Sequence, residues 1–286
     1  MQLRTSILAL TLVLCATVPL CAQDPSTDPQ AYVHRIANVE LAAHSNPVPR
    51  WRYRLEKRNA SGTTTREIVE TQQGLIARVL TINGRPLTPD VERNEQARLR
   101  ALASDPAQLK KKLAGQDRDR QRVMKMIRAL PNAFLYTYEG RSSGDFGEEV
   151  KLSFKPDPHF SPDALETQIF RSMAGTLRIA VKQQRLIELN GKLISDVSIG
   201  LGIVGKIEKG GTLLLAQSEI APGSWEVTTL DLNVTGRALF RHLDVSVFEK
   251  ATDFKPVSSK LSVAQAIDVL LSLPNGTASG AAAAAR

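Results

Sequence analysis

The sequence predicts an α+β protein organised around one strongly curved antiparallel β-sheet, a half-closed β-barrel with helices covering its concave mouth. Three observations predict it. Ala174 to Lys250 alternates apolar and polar residues with the period of two that places strand side chains on opposite faces. Glycines interrupt these strands at Gly191 and from Gly200 to Gly205, where kinks let a twisted sheet coil. Lys209-Gly210-Gly211 and Ala221-Pro222-Gly223 supply the turns that an antiparallel meander needs.

The chain opens on a secretory pattern: Arg4, an apolar core from Ile7 to Val18, and small residues ending at Ala22. Residues 1–22 are expected to be a signal peptide and to leave with both cysteines, Cys15 and Cys21. A cysteine-free body suits the periplasm. The alternative is a lipoprotein acylated on Cys21, against which Leu20 stands as a bulky residue where a small one is expected. Residues 23–29 form a polar linker. Asp28-Pro29 then supplies a cap and first-turn proline for a helix from Gln30 to Ala43, ended by Asn46-Pro47-Val48-Pro49.

Trp51–Lys57, Thr65–Gln72 and Leu75–Ile82 read as strands. Thr88-Pro89-Asp90 starts a helical stretch with a second cap at Ser104-Asp105-Pro106, an apolar stripe through Leu109, Leu113, Val123, Ile127 and Leu130, and a stop at Pro131. Ala133–Glu139 and Glu148–Lys155 are strands around a Ser142–Gly147 loop. A proline-rich loop, Phe154–Pro162, leads to a short helix ending near Met173. Past the meander, Ser262 and Gln265 have capping-box spacing for a C-terminal helix within residues 258–274, and the Ala-rich tail, 275–286, is expected to be disordered.

Within the meander, Leu177, Ile179 and Val181 hold one parity, and Ile187, Leu189, Leu193, Val197 and Ile203 continue it. Asn190-Gly191 has the composition of a tight hairpin. A turn there would send Leu193 to the polar side, so the strand is expected to run on through Gly191. Val181 and Ile187 share a face only if an odd number of residues turns between them. Leu177, Ile179, Val181, Ile187, Leu189, Leu193, Val197 and Trp225 are thus the candidate lining of an apolar ligand face. The same pattern fits a core filled by the chain's own helices.

The net charge of +8 is concentrated: from Asp90 to Leu130, 11 Lys or Arg against 6 Asp or Glu leave +5. Nucleic acid would match such a cluster, but an exported protein rarely meets it. The readings retained are peripheral contact of segment 90–130 with an anionic membrane surface and an ordinary solvated helix face. Gly200-Leu201-Gly202-Ile203-Val204-Gly205 spells the dinucleotide fingerprint, yet a turn and a strand follow where the phosphate-binding helix should start. Asp157, His159 and Asp163 sit together in the proline-rich loop, which reads as surface rather than as a metal or catalytic site. Glu148-Glu149 points to two faces of one strand. No nucleophile–base set, metal set or cofactor motif emerges, and the chain is read as non-enzymatic.

Trp51-Arg52-Tyr53, Arg185-Leu186-Ile187-Glu188-Leu189-Asn190-Gly191, Pro222-Gly223-Ser224-Trp225 and Gly236-Arg237, with a leading helix and a helical insertion, resemble the periplasmic lipoprotein-carrier superfamily. The resemblance covers about Gln30 to Val257 and makes residues 30–257 a carrier-like half-barrel domain. It implies a helix-covered half-barrel that carries a lipid or lipoprotein acyl chain. A second reading is a periplasmic chaperone or envelope scaffold that binds protein. Ile82-Asn83-Gly84-Arg85-Pro86-Leu87-Thr88 before a charged helix resembles the strand-to-helix entry of such chaperones.

Overall fold

The computed structural model describes residues 25–45, 49–199, 205–238 and 241–274. The expected signal peptide, Cys21, the Ala-rich tail and all of the glycine motif except Gly205 lie outside the described residues.

Helix α1 (Pro29–Ser45) begins as expected, with the Asp28 carboxylate accepting the Ala31 amide at 2.9 Å. Strands β1 (Arg50–Asn59), β2 (Gly62–Glu70) and β3 (Leu75–Ile82) follow as antiparallel neighbours, and β4 (Arg85–Pro86) pairs with β3. Helix α2 (Pro89–Ser104) starts at the predicted proline, but the Thr88 side chain makes no capping bond. Asp105 separates it from α3 (Pro106–Ala133) and caps that helix, accepting from Ala107 and Gln108 at 2.9 and 3.0 Å. Pro131 does not end α3. Lacking an N–H, it costs one helical bond, and the chain becomes extended only at Phe134. The Tyr136 hydroxyl donates to the Leu130 carbonyl at 2.8 Å, satisfying an acceptor freed at that end.

β5 (Phe134–Gly144) and β6 (Gly147–Pro156) extend through most of the expected Ser142–Gly147 loop and leave Asp145-Phe146 as the turn. A 3-10 helix (Leu165–Ser172) leads into β7 (Met173–Ala180) and β8 (Arg185–Leu193). β9 (Val197–Ile199) and β10 (Gly205–Ile207) are short. β11 (Thr212–Ala221), β12 (Ser224–Ala238) and β13 (Arg241–Val257) complete the meander. Helix α4 (Val263–Leu271) carries the predicted Ser262–Gln265 capping box. The 13 strands form one antiparallel sheet ordered β4-β3-β2-β1-β13-β12-β11-β8-β7-β6-β5, with β10 joining β12 to β9 off this path. Its terminal strands β4 and β5 do not pair, so it stays open.

Two details of the meander depart from the sequence expectation. The turn between β7 and β8 has four residues, 181–184, not an odd number. A bulge compensates: Leu189 stands opposite Leu177, but Leu186, not Ile187, stands opposite Ile179. The strand does continue through Gly191, but it ends at Leu193, where the backbone bonds to Gly210 and Gly211 close the ladder. Val197 therefore begins a separate strand.

Register defines the two faces. Leu152, Leu177, Leu189, Leu215, Leu230, Glu249 and Lys57 are successive cross-strand partners and share one face. This is the inner face. It carries Tyr53 and Tyr136, whose phenols burial pushes well above their ordinary value. At the β5–β8 end, α1 and α3 cover it, packing Tyr32, Val33 and Ile36 onto Phe134, Leu152 and Leu177. Val69 and Ile76 occupy the opposite face, where α2 and α4 enclose them with Leu99, Leu102, Ile267 and Leu270. The two helical layers thus sit on opposite faces at opposite ends. The 28-residue α3, about 42 Å long at 1.5 Å per residue, links them across the open side. It touches the β3 edge through Gln116, which both accepts from and donates to the Leu75 backbone at 2.9 Å, and runs directly into β5.

Candidate ligand-binding face

Between these helical layers lies the middle of the sheet. On its inner face, β11, β12 and β13 present Leu213, Leu215, Leu230, Leu232, Val245 and Val247, all half-buried. Leu213 pairs with Leu232 and Leu232 with Val247, while Leu215 pairs with Leu230 and Val234 with Val245, so the stripe is continuous across three strands. β11, β12 and β13 make their main contacts with neighbouring strands rather than with helices. This stripe continues the face predicted from the sequence, but only partly through the predicted residues.

Leu177, Ile179, Leu193 and Val197 are at most 5% exposed and belong to the core sealed by α1 and α3. Val181 and Leu189 are partly buried at the margin of that core. The remaining two part company with them: Ile187 and Trp225 pack with Ala180 and Phe146 in a separate cluster. The bulge explains this for Ile187, because it is the extra residue of β8. The half-buried residues of β11–β13 are not among the candidates read from the sequence. Their alternation was visible, but sequence does not reveal which part of a face lacks a helix above it.

One end of the inner face is polar. The Glu40 carboxylate of α1 accepts from Arg185 at 3.0 and 2.9 Å and from the Leu186 amide at 3.1 Å, and Gln217 of β11 bonds to both charged groups. The Arg185 guanidinium also lies 5.9 Å from the centre of the Trp225 ring. Burial and the neighbouring Glu70 push the Glu226 carboxyl up to about 7, against the pull of Arg185. Glu70 is raised mainly by burial, while the Trp51 amide that it accepts at 2.9 Å and Arg50 favour its charged form.

The other motifs also have places. Gly205 opens a strand, β10, paired to Ile199 and Ala238, rather than a helix. Glu148 pairs with Arg141 at 2.9 Å and Glu149 with Arg178 at 2.7 Å, on opposite faces of β6. Asp157 accepts the His159 amide at 2.8 Å in a surface turn, and no cluster of three metal-ligating side chains occurs among the described residues. In the basic segment, acids pair at i,i+3 with arginines: Asp90 with Arg93, Glu95 with Arg98, Asp117 with Arg120 and Asp119 with Arg122. No described helix is long and apolar enough to cross a membrane.

No family model and no curated protein matches the chain. Two solved structures align with most of it. One, from Vibrio parahaemolyticus and described as an outer membrane lipoprotein-sorting protein domain, is 9% identical; the alignment covers 82% of this chain and 97% of that one with a TM-score of 0.33. The other, a DUF1329 family protein from Desulfovibrio piger, is 10% identical over 87% of this chain and 100% of that one, with a TM-score of 0.31.

Proposed function

We propose that this is a non-enzymatic protein of the bacterial envelope, exported to the periplasm, that holds a lipid or lipoprotein acyl chain against its inner face. The observation that carries the reading is the half-buried Leu and Val stripe on β11–β13, which runs along the inner face from the margin of the α1–α3 core at Leu213 and Leu215. Water contact at so many apolar side chains in one continuous strip is unfavourable by roughly 25 cal/mol per Å², and an acyl chain relieves it without needing directional bonds. The fully sealed residues, Leu177 and Ile179 among them, form the wall beside this strip. The basic face of α2 and α3 suits a peripheral approach to anionic lipid.

The test is mass spectrometry of organic extracts from protein purified from an exporting host, with fluorescent fatty-acid binding in solution. Wild type should yield bound lipid and a saturable signal. Leu232→Arg should remove the signal while melting stays close to wild type, because an open trough lets a long cationic chain reach water. Lys192→Glu, at an exposed position, is the control and should leave both unchanged. Absence of lipid and of fatty-acid binding in wild type would overturn the reading. Capture of protein segments on the same stripe would then favour a scaffold or chaperone.

A further inference from the structure

A second concavity lies outside the inner face, where α3 meets the loop after β6. Its volume is about 630 Å³. Lys125, Arg128 and Asn132 line it from one side of α3, at the i, i+3, i+7 spacing that aligns side chains on a helix. His159 and Ser161 line it from the loop, with Asp157 and Asp163. Ala129 and Phe160 also line it and pack inward against the main core, so the floor is apolar and held in place.

The loop is shaped before any ligand arrives. The Asp157 amide donates to the Ala133 carbonyl at 3.0 Å, anchoring the loop to the end of α3, and the Phe160 amide donates back to the Asp157 carbonyl at 3.1 Å. The Asp157 carboxylate is engaged by the His159 amide. Pro156, Pro158 and Pro162 restrict the backbone on either side.

Two cations, Lys125 and Arg128, and two carboxylates, Asp157 and Asp163, line the hollow without forming an ion pair with one another among the described residues. Lys125 is held only at 3.7 Å by Glu166. Arg128 and Asp163 form no ion pair among the described residues, although they line the same space. Lysine, arginine, histidine, amide and hydroxyl donors together call for an anion with three or more acceptor oxygens, which is a phosphate rather than a carboxylate. Asp163 would repel a simple phosphate but complements an ammonium group on the same ligand. The apolar floor suits the short carbon chain between the two charges.

We propose that this hollow binds a phosphoethanolamine group, its phosphate toward Lys125 and Arg128 and its ammonium toward Asp163. The site stands apart from the inner face, so its binding does not depend on whether that face takes an acyl chain. The group is available either as a free phosphate ester or as a lipid headgroup.

Calorimetric titration of the full mature chain with O-phosphoethanolamine tests it, with glycerol 3-phosphate as the ester lacking an ammonium. Saturable binding of phosphoethanolamine, tighter than that of glycerol 3-phosphate, is expected. Arg128→Ala should weaken it about tenfold or more, a change of about 1.4 kcal/mol. Asp163→Asn should erase the preference over glycerol 3-phosphate. Arg122→Ala, elsewhere on exposed α3, should leave binding intact, and all three surface variants should melt like wild type. No saturable binding, equal affinity for the two esters, or equal loss in Arg122→Ala would overturn the proposal. Vesicles of phosphatidylcholine with and without phosphatidylethanolamine identify the source. Arg128-dependent capture by the mixed vesicles assigns a lipid headgroup, and binding in solution alone assigns the free ester.

Discussion

Glu40 and Arg185, 145 residues apart, meet in a two-pronged buried ion pair at 3.0 and 2.9 Å that fixes α1 against β8. Their side chains are only 5% and 10% exposed. Glu40 also takes the Leu186 amide at the bulge, so one carboxylate holds both a helix and an irregular strand. Removing it strands a buried guanidinium. Glu40→Ala is expected to cost about 3–5 kcal/mol of stability, whereas the double replacement Glu40→Met with Arg185→Met should recover much of that, since apolar pairs often replace buried ion pairs without loss. Denaturant unfolding of wild type, both single variants and the double variant measures the coupling. Simple additivity of the two single losses would refute the pairing.

Arg78 plays the corresponding part in the second core. It is fully buried and donates to the Leu270 and Leu273 carbonyls at 2.5 and 2.8 Å and to Glu92 at 2.7 Å, clasping the C-terminal end of α4 to β3 and α2. Arg78→Met should expose those carbonyls to an apolar neighbour and leave Glu92 uncompensated. The expected result is a loss of several kcal/mol and faster hydrogen exchange in α4 than in β7 or β8. Unchanged protection of α4 would contradict this role.

Gly175 of β7 stands opposite Gly191 of β8. A Cβ placed there would stand 1.9 Å from the Asn190 carbonyl oxygen. Because that atom is backbone, it cannot swing away as a side chain would. Gly175→Ala should destabilise by about 1–3 kcal/mol, typical of forced overpacking, while Gly84→Ala serves as the contrast: its Cβ meets nothing within 4 Å, although its φ of +73° carries its own local strain. Thermal melting of the two variants decides it, and equal shifts would show that contact with β8 is not the cause.

Stability should fall as pH rises from about 4.5 to about 7. Glu226 holds its proton up to about 7 in the folded chain, against 4.5 for an ordinary glutamate. Between those values the folded state binds more protons than the unfolded one, so its advantage is complete below the lower value and lost by the upper. Glu70 is raised in the same direction and adds to the slope. Glu226→Gln should flatten the profile and make the protein more stable above pH 7, by on the order of 1–3 kcal/mol after allowing for partial solvent access. A variant with the wild-type slope would assign the effect elsewhere.

The fold class was legible because the alternation from Leu177 to Val247 is long, and because Asp105-Pro106 and Ser262–Gln265 mark helix ends through local chemistry that survives in the structure. Parity through Gly191 was also legible. A hairpin there would have sent Leu193 to the polar side, breaking the parity, and the structure buries Leu193. The bulge at Ile187 was not, since a single extra residue is fixed by what lies across the strand: the Glu40 carboxylate, brought from the other end of the sequence. The same reason hid the boundary between sealed core and open stripe. Leu177 and Leu215 look alike in sequence, and only the path of α1 and α3 makes one a core residue and leaves the other half-buried.

The strand order carries a consequence for how the chain assembles. β1 to β4 join the rest of the sheet solely through the ladder between β1 and β13, so residues 50–86 find their place only when residues 241–257 are present. Within themselves both groups are local, β1 to β4 pairing from Arg50 to Pro86 and β5 to β8 from Phe134 to Leu193, so the late step is the junction of β1 with β13. Contacts of high sequence separation are slow to close. The β1–β13 ladder should therefore acquire protection last in pulsed hydrogen exchange, after the local pairings within β1–β4 and within β5–β8. A chain threaded across a membrane from its amino terminus would emerge with one edge of β1 unpaired until nearly all of it had passed, open to whatever receives the chain on the far side.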